Sequence, residues 1–149
     1  MKRNAQWQQG LGLLTLRLFA AYEFFDSGLE KWNGENWFAE IHDKFPFPFH
    51  LLPDSFNWQA AMWAELVLPV LLVIGLATRL SALGLMIVTW VAWVSVHAGL
   101  GYNIGEGGYK MALIYLVVLF PILLQGAGVF SVDFLIQKRR QSQGRGIRP

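Results

Sequence analysis

Glu23, Asp26 and Glu30 lie within eight residues, "EFFDSGLE", of an otherwise apolar stretch. At 100° per residue of helix they fall within about 60° of one another, a single acidic stripe. Glu65 sits in a second apolar stretch, Trp90, Trp93 and His97 recur at i, i+3 and i+7 in a third, and Lys110 and Tyr115 open a fourth. Carboxyls gathered in a low dielectric raise one another's pKa, and an imidazole titrates near neutrality. Such a set can bind a ligand or handle protons. The candidate proton-handling groups are therefore Glu23, Asp26, Glu65 and His97, with Trp90, Trp93, Tyr115 and Lys110 as candidate cofactor-binding residues. A polar network that only fixes helix register is the competing use of the same residues.

The residues that must position this set are strongly apolar. The 149-residue chain is 54% hydrophobic and 15% charged, against roughly a quarter charged in soluble domains. Four stretches reach the ~20 residues needed to cross ~30 Å of hydrocarbon: 10–32, 58–77, 80–99 and 109–127. One all-α, antiparallel four-helix membrane domain covering 1–149 is expected, its last segment a basic tail over 136–149. With ~1.5 Å of rise per residue and entry near Leu11, Glu23 lies ~18 Å deep and Asp26 ~22 Å deep, while Glu65 lies ~10 Å below the opposite surface. All three then share one depth band. The expectation is that Glu23 and Asp26 point toward Glu65 with at least one carboxyl protonated, opposed only by a cation such as Lys110. Arg17 and Lys31 occupy another sector of the first helix, so Arg17 should pair elsewhere, and Glu30 should stay ionised and wet.

Charge asymmetry orients these spans. Lys2, Arg3, Arg79, Lys138, Arg139, Arg140, Arg145 and Arg148 lie at the termini or in the second connection, whereas the other two connections hold Lys44, with Lys31 and Lys110 at their edges. An excess of Lys and Arg marks cytoplasmic segments, so both termini are expected in the cytoplasm of a bacterial inner-membrane protein. The first apolar run continues past Arg17 without a cleavage site, so it reads as a retained span rather than a signal peptide. There is no cysteine, which excludes thiolate metal sites and a dithiol relay.

"ENWFAEIHDKF" places Trp37, Phe38, Ile41 and Phe45 at helical spacing and reads as a short amphipathic interfacial helix, either an anchor or a lid. Pro46 and Pro48 then hold an extended path. Pro69 and Pro121 fall inside spans and are expected to kink them. "GLGYNIG" has no preceding strand, so a nucleotide loop is rejected. Nothing suggests nucleic-acid binding. Two-histidine haem ligation does not fit, because only His97 of the three histidines lies in a helix. Glu30, Glu65 and His97 are chemically competent for a mixed metal site, but no metal site is expected. The basic tail is read as a topology determinant resting on anionic lipid heads.

Arg17-Leu18, Gly28 with Lys31, Phe38 before Pro46 and Pro48, "AELVLPVLLVIGLATRLSALGL" with Glu65, Gly75 and Arg79, and "GAGVFSVD" resemble, in that order, the DoxX family. The likeness spans Leu13 to Leu135. It implies a small four-helix membrane protein, often labelled a quinol oxidase subunit or membrane oxidoreductase component. Many members carry a histidine where Ser27 stands here, so a role for that histidine does not transfer. "YEFFDSGLEKWNGENWF" is similar to a DoxX-like subgroup encoded beside modified cysteine-rich peptides linked to copper stress.

Two functions follow. One is a redox-associated subunit in which a quinone head group enters from the outer leaflet, protons pass through Glu65 with Glu23 or Asp26, and a partner supplies the electrons. The other is a non-enzymatic membrane partner or small transporter in a metal-stress or peptide-export system, docking a redox or peptide-handling protein on its outer face. Small residues at Ala82, Gly84, Ala92 and Ala112 allow close helix approach, so a monomer able to form a homodimer is expected.

Overall fold

The computed structural model describes the backbone of residues 2–145 and the side chains of residues 4–142. The Arg148 end of the tail, and the side chains of Lys2, Arg3 and Arg145, lie outside the described residues. All regular structure among the described residues is helical. The long helices are α1 (Lys2–Asn33), α2 (Asp54–Ile74), α3 (Thr78–Ala92, continued by a π-helical turn Trp93–His97), α4 (Lys110–Gln125) and α5 (Val132–Arg145). Helix α1 packs on α2 and α4, and α3 packs on the same two. Two helices, Asp54–Ile74 and Thr78–His97, are long and apolar enough to cross a membrane, and Lys110–Gln125 is apolar but shorter. Helix α1 is the longest, but it carries five charges between Arg17 and Lys31.

The buried face of α1 explains its packing. Leu13, Arg17, Ala20, Ala21, Phe24 and Gly28 are buried and recur at three- and four-residue steps, one stripe of a 3.6-residue helix. Ala20, Ala21 and Phe24 join Leu72, Ala82, Leu85, Leu119 and Ile122 in the main core. The helices run unbroken through Pro69 and Pro121. Helix α2 ends three residues before the expected Ala77, because Gly75 takes a left-handed conformation (φ 68°) and closes the helix with N–H bonds back to Leu71 and Leu72. A Cβ at Gly75 would lie 2.7 Å from the Arg17 guanidinium and collide with Ser131.

Arg17 is wholly buried. Its Nε donates to the Leu72 carbonyl (2.7 Å), one terminal nitrogen to Ala127 and Phe130 (2.8 and 2.9 Å), and the other to Val73 (2.8 Å). The last carbonyls of a helix have no partner within it. One planar fork therefore satisfies two carbonyls at the end of α2 and two in the connection after α4. Next to it, the Asp133 carboxylate accepts the N–H groups of Ala77 and Thr78 (3.0 Å each) at the start of α3, where the helix dipole favours a negative charge. The expectation that Arg17 pairs away from the acids holds, and its partners are backbone carbonyls.

Two segments differ from expectation. The stretch after α1 is a 3-10 helix, Phe38–Lys44, interrupted at Ile41, and it is not a free interfacial anchor. Phe38 and Phe45 are buried with Trp58 (Phe38–Trp58 centroids 5.0 Å apart), with Val91 of α3 packed against them, because ring burial against α2 outweighs burial in lipid. The basic tail read over 136–149 belongs to a helix that starts earlier, at Val132, and runs to Arg145. Ser131 starts that helix by accepting the Phe134 N–H (3.1 Å), the usual N-cap bond.

Arg17→Met should destabilise the fold severely, since each buried carbonyl left unpaired costs roughly 1–3 kcal/mol. Arg17→Lys should restore only part of the loss, because an ammonium lacks the planar fork. Thermal unfolding in detergent, monitored by circular dichroism, checks both.

Candidate functional site

The expected single cluster is divided among three places. At the end of the bundle opposite Arg17, where the α1–α2 and α3–α4 loops lie, Glu65 is buried between α1 and α2. Its Oε2 accepts from Lys31 Nζ at 2.7 Å, and the two side chains are 6% and 16% exposed. The same ammonium donates to Ser27 Oγ at 3.1 Å. Glu23 is one turn and more further into the bundle and faces α4, where its Oε2 accepts the Tyr115 hydroxyl at 2.7 Å. The third group is the α3–α4 loop. There Trp93 stacks on Tyr109 (4.8 Å, 9° between planes), Lys110 lies 5.4 Å from the Tyr102 ring centre, and His97 Nδ1 donates to the Gly107 carbonyl.

Three expectations are corrected by this geometry. Asp26 is exposed and does not point at Glu65. The cation on Glu65 is Lys31, not Lys110. Trp90 is 44% exposed on the outside of α3 and does not join Trp93 in a slot. The cause is the same for the first two. On α1, Arg17 and Lys31 belong to the buried stripe of Phe24 and Gly28, while Glu23, Asp26 and Glu30 lie about 100–160° round from it. The bases face inward and the acids face sideways or outward, with Glu30 exposed as expected. His97 ends the π turn Trp93–His97 and bonds the α3–α4 loop at Gly107.

Gly28 permits the Lys31–Glu65 contact. A Cβ there would meet the Glu65 carbonyl carbon and oxygen at 3.0 Å, so a side chain would push the α1 and α2 backbones apart by a few tenths of an ångström. Beside the ion pair an open cleft of about 400 Å³ is walled by Trp32, Trp58, Trp63 and Met62, with Lys31 on its floor. Trp32 and Trp63 meet edge to face at 5.6 Å. Two of the three Lys31 ammonium hydrogens are engaged by Ser27 and Glu65, and among the described residues no partner takes the third. Sequence reading missed Lys31 as a site residue. Its spacing of three from Gly28 and seven from Phe24, on the buried stripe, was the available signal.

The chain end of this cleft is tethered. His42 Nδ1 lies 2.7 Å from Asp54 Oδ1 at the first turn of α2, tying the Phe38–Lys44 turn to the helix that carries Trp58 and Glu65. The hydrogen bond and charge of Asp54, with a smaller contribution from Asp43, hold the His42 imidazole above its ordinary value.

The DoxX family profile matches residues 12–98, which include Arg17, Gly28, Lys31, Glu65 and the helices that carry them. An uncharacterized protein of Haemophilus influenzae is 58% identical over 129 residues, 87% of this chain and 85% of that protein. No solved structure matches the chain. The chain belongs to the DoxX family and is a membrane protein of that family.

A buried charge stripped of its partner costs more than removing both. Lys31→Met alone should therefore destabilise by about 3 kcal/mol, whereas Lys31→Met/Glu65→Met should recover most of it; detergent unfolding of the four members of the cycle measures the coupling. The His42 tether has the opposite sign to a carboxylate effect. Its stabilisation is complete at pH below the free imidazole value and fades as pH rises through the raised one. Amide exchange across 38–52, corrected for intrinsic rates, should show more protection at pH 6 than at pH 9, and His42→Gln should flatten that difference.

Proposed function

We propose that this protein is a four-span subunit of the bacterial inner membrane, with both termini cytoplasmic, whose outer cleft takes a quinone-class head group for a redox partner. Support for the topology comes from the placement of chain ends: Trp7 of α1 packs on Phe130 (5.1 Å) just before α5, so both termini leave from one end. That end also holds Arg79 and the basic residues of α5, which favours the cytoplasmic side.

The observation that carries the ligand reading is an ion pair beside an aromatic cleft, with an unused ammonium hydrogen. The residues fit the group. Lys31 would donate to a carbonyl oxygen, a charge-assisted bond of roughly 1.5–3 kcal/mol. Glu65 shares that ammonium and would give or take the proton that accompanies a change of charge on the ligand oxygen. Trp32 and Trp63, in contact with each other, would wall one side of a planar ring and keep water from the pair. A bound quinone supplies the electron-carrying chemistry, and the electrons come from a partner on the outer face. Glu23 and Tyr115 form a second carboxylate–hydroxyl contact deeper in the bundle, suited to proton handling rather than to ligand contact. His97, Trp93, Tyr109 and Lys110 shape the neighbouring loop.

Because Trp32, Trp58 and Trp63 line the cleft, a short-chain quinone should quench tryptophan fluorescence saturably in reconstituted protein. Lys31→Met/Glu65→Met, which keeps the fold, should weaken that binding by about tenfold or more. Quenching that rises linearly with membrane quinone, equally in both proteins, would reject the quinone site and favour a non-enzymatic docking role.

A further inference from the structure

From the structure we infer that α5 is an interfacial arm that binds anionic phospholipid head groups. The helix is pinned at its start and free beyond it. The Asp133 N–H donates to the Gly75 carbonyl (2.9 Å) and its carboxylate caps α3, while Ser131 holds the first turn. From Phe134 to Ser142 every residue is exposed.

The exposed face has a specific pattern. Val132, Leu135 and Ile136 fall within about 100° of one another on the helix, and Arg139 continues the same line one turn further. Lys138 and Arg140 flank it on either side. Leu135 is 57% exposed, and Val132 and Ile136 are 37% and 39% exposed. Three apolar side chains on this face, followed by three cations, match the change from acyl chains to head groups at a membrane surface, while Phe134, 39% exposed, lies on the opposite side of the helix. Lys and Arg stems lie along apolar surface while their charges reach the phosphates. Asp133 is the only acidic residue among 132–142, and its carboxylate is taken up by α3, so the free part of the arm carries positive charge alone. Anionic lipid is the occupant this charge selects, and it is continuous with the bilayer already around α2 and α3.

The chain has no native cysteine, so Leu135→Cys with an environment-sensitive fluorophore reports on α5 alone. The full chain is reconstituted in nanodiscs of phosphatidylcholine, with or without 30% phosphatidylglycerol (about this fraction suffices to impose a negative surface potential). With phosphatidylglycerol the label should shift to the blue and be shielded from aqueous iodide. Raising salt to about 1 M shrinks the screening length to about 3 Å and should release it. In Lys138→Gln/Arg139→Gln/Arg140→Gln the preference for phosphatidylglycerol should fall by on the order of 100-fold, since each cation near such a surface is worth roughly fivefold. The reciprocal exchange Lys138→Arg/Arg139→Lys/Arg140→Lys should keep it. A label equally exposed in both nanodiscs would overturn the proposal and leave the face to a protein partner. A label equally shielded in both, or unaffected by the triple substitution, would overturn the anionic-lipid assignment in favour of apolar insertion alone. Neither result bears on the outer cleft.

Discussion

The fan of four hydrogen bonds from Arg17 is the constraint on which the rest of this architecture hangs. A buried guanidinium is costly, and it persists here because it donates to four backbone carbonyls at the end of α2 and in the connection after α4, with Asp133 nearby. The α2 carbonyls at Leu72 and Val73 and those of Ala127 and Phe130 are thereby held against one point on α1. That fixes where α2 turns into α3 and where α4 hands over to α5. Gly75 is forced by the same geometry, since no side chain fits between Arg17 and Ser131.

Fixing one end of α1 against α2 sets the other. Fourteen residues separate Arg17 from Lys31, close to four helical turns, so both point to the same side and meet the same neighbour. Between them Phe24 packs in the core and Gly28 lets the backbones close to contact. The ion pair at one end and the carbonyl fan at the other are two uses of one stripe. At the Arg17 end, carbonyls without helical partners accept from a permanent cation. At the Lys31 end, a titratable carboxylate shares a lysine with a cleft. Arg17 is wholly enclosed by protein, whereas Lys31 lines an open cleft, and this difference is why the candidate site is put at that end.

The sequence made the long helices legible because extended apolar runs stand out by themselves, most clearly in α2 and α3. Helix ends were less so. The left-handed Gly75 and the π turn at Trp93–His97 depend on what packs against them. The site was half legible. Glu65 was found, because a carboxylate in an apolar run is conspicuous. Its partner was missed for a physical reason: Glu23 and Asp26 were expected to face inward toward Glu65, and the rotational phase of α1 was taken from them. The phase is set instead by Ala20, Ala21, Phe24 and Gly28, whose small or apolar side chains allow close packing. The two bases come inward with that stripe, and the acids go outward.

This rule of phase also separates the two acids that sequence reading treated as equals. Glu23 lies at the margin of the buried stripe and reaches Tyr115 on α4, so one of its oxygens is satisfied inside the protein. Asp26, further round, has a shorter side chain and no neighbour within the bundle to meet, and it stays exposed. Two side-chain contacts therefore lie across different helix interfaces: Lys31 with Glu65 between α1 and α2, and Tyr115 with Glu23 between α1 and α4. Pairs placed this way orient α1 toward both neighbours at once, which a single cluster of carboxyls could not do. Fixing helix register and the chemistry proposed for these residues are then compatible uses of the same contacts. The contacts that fix α1 between α2 and α4 are the ones that deliver a satisfied carboxylate and a partly engaged ammonium to the mouth of the cleft.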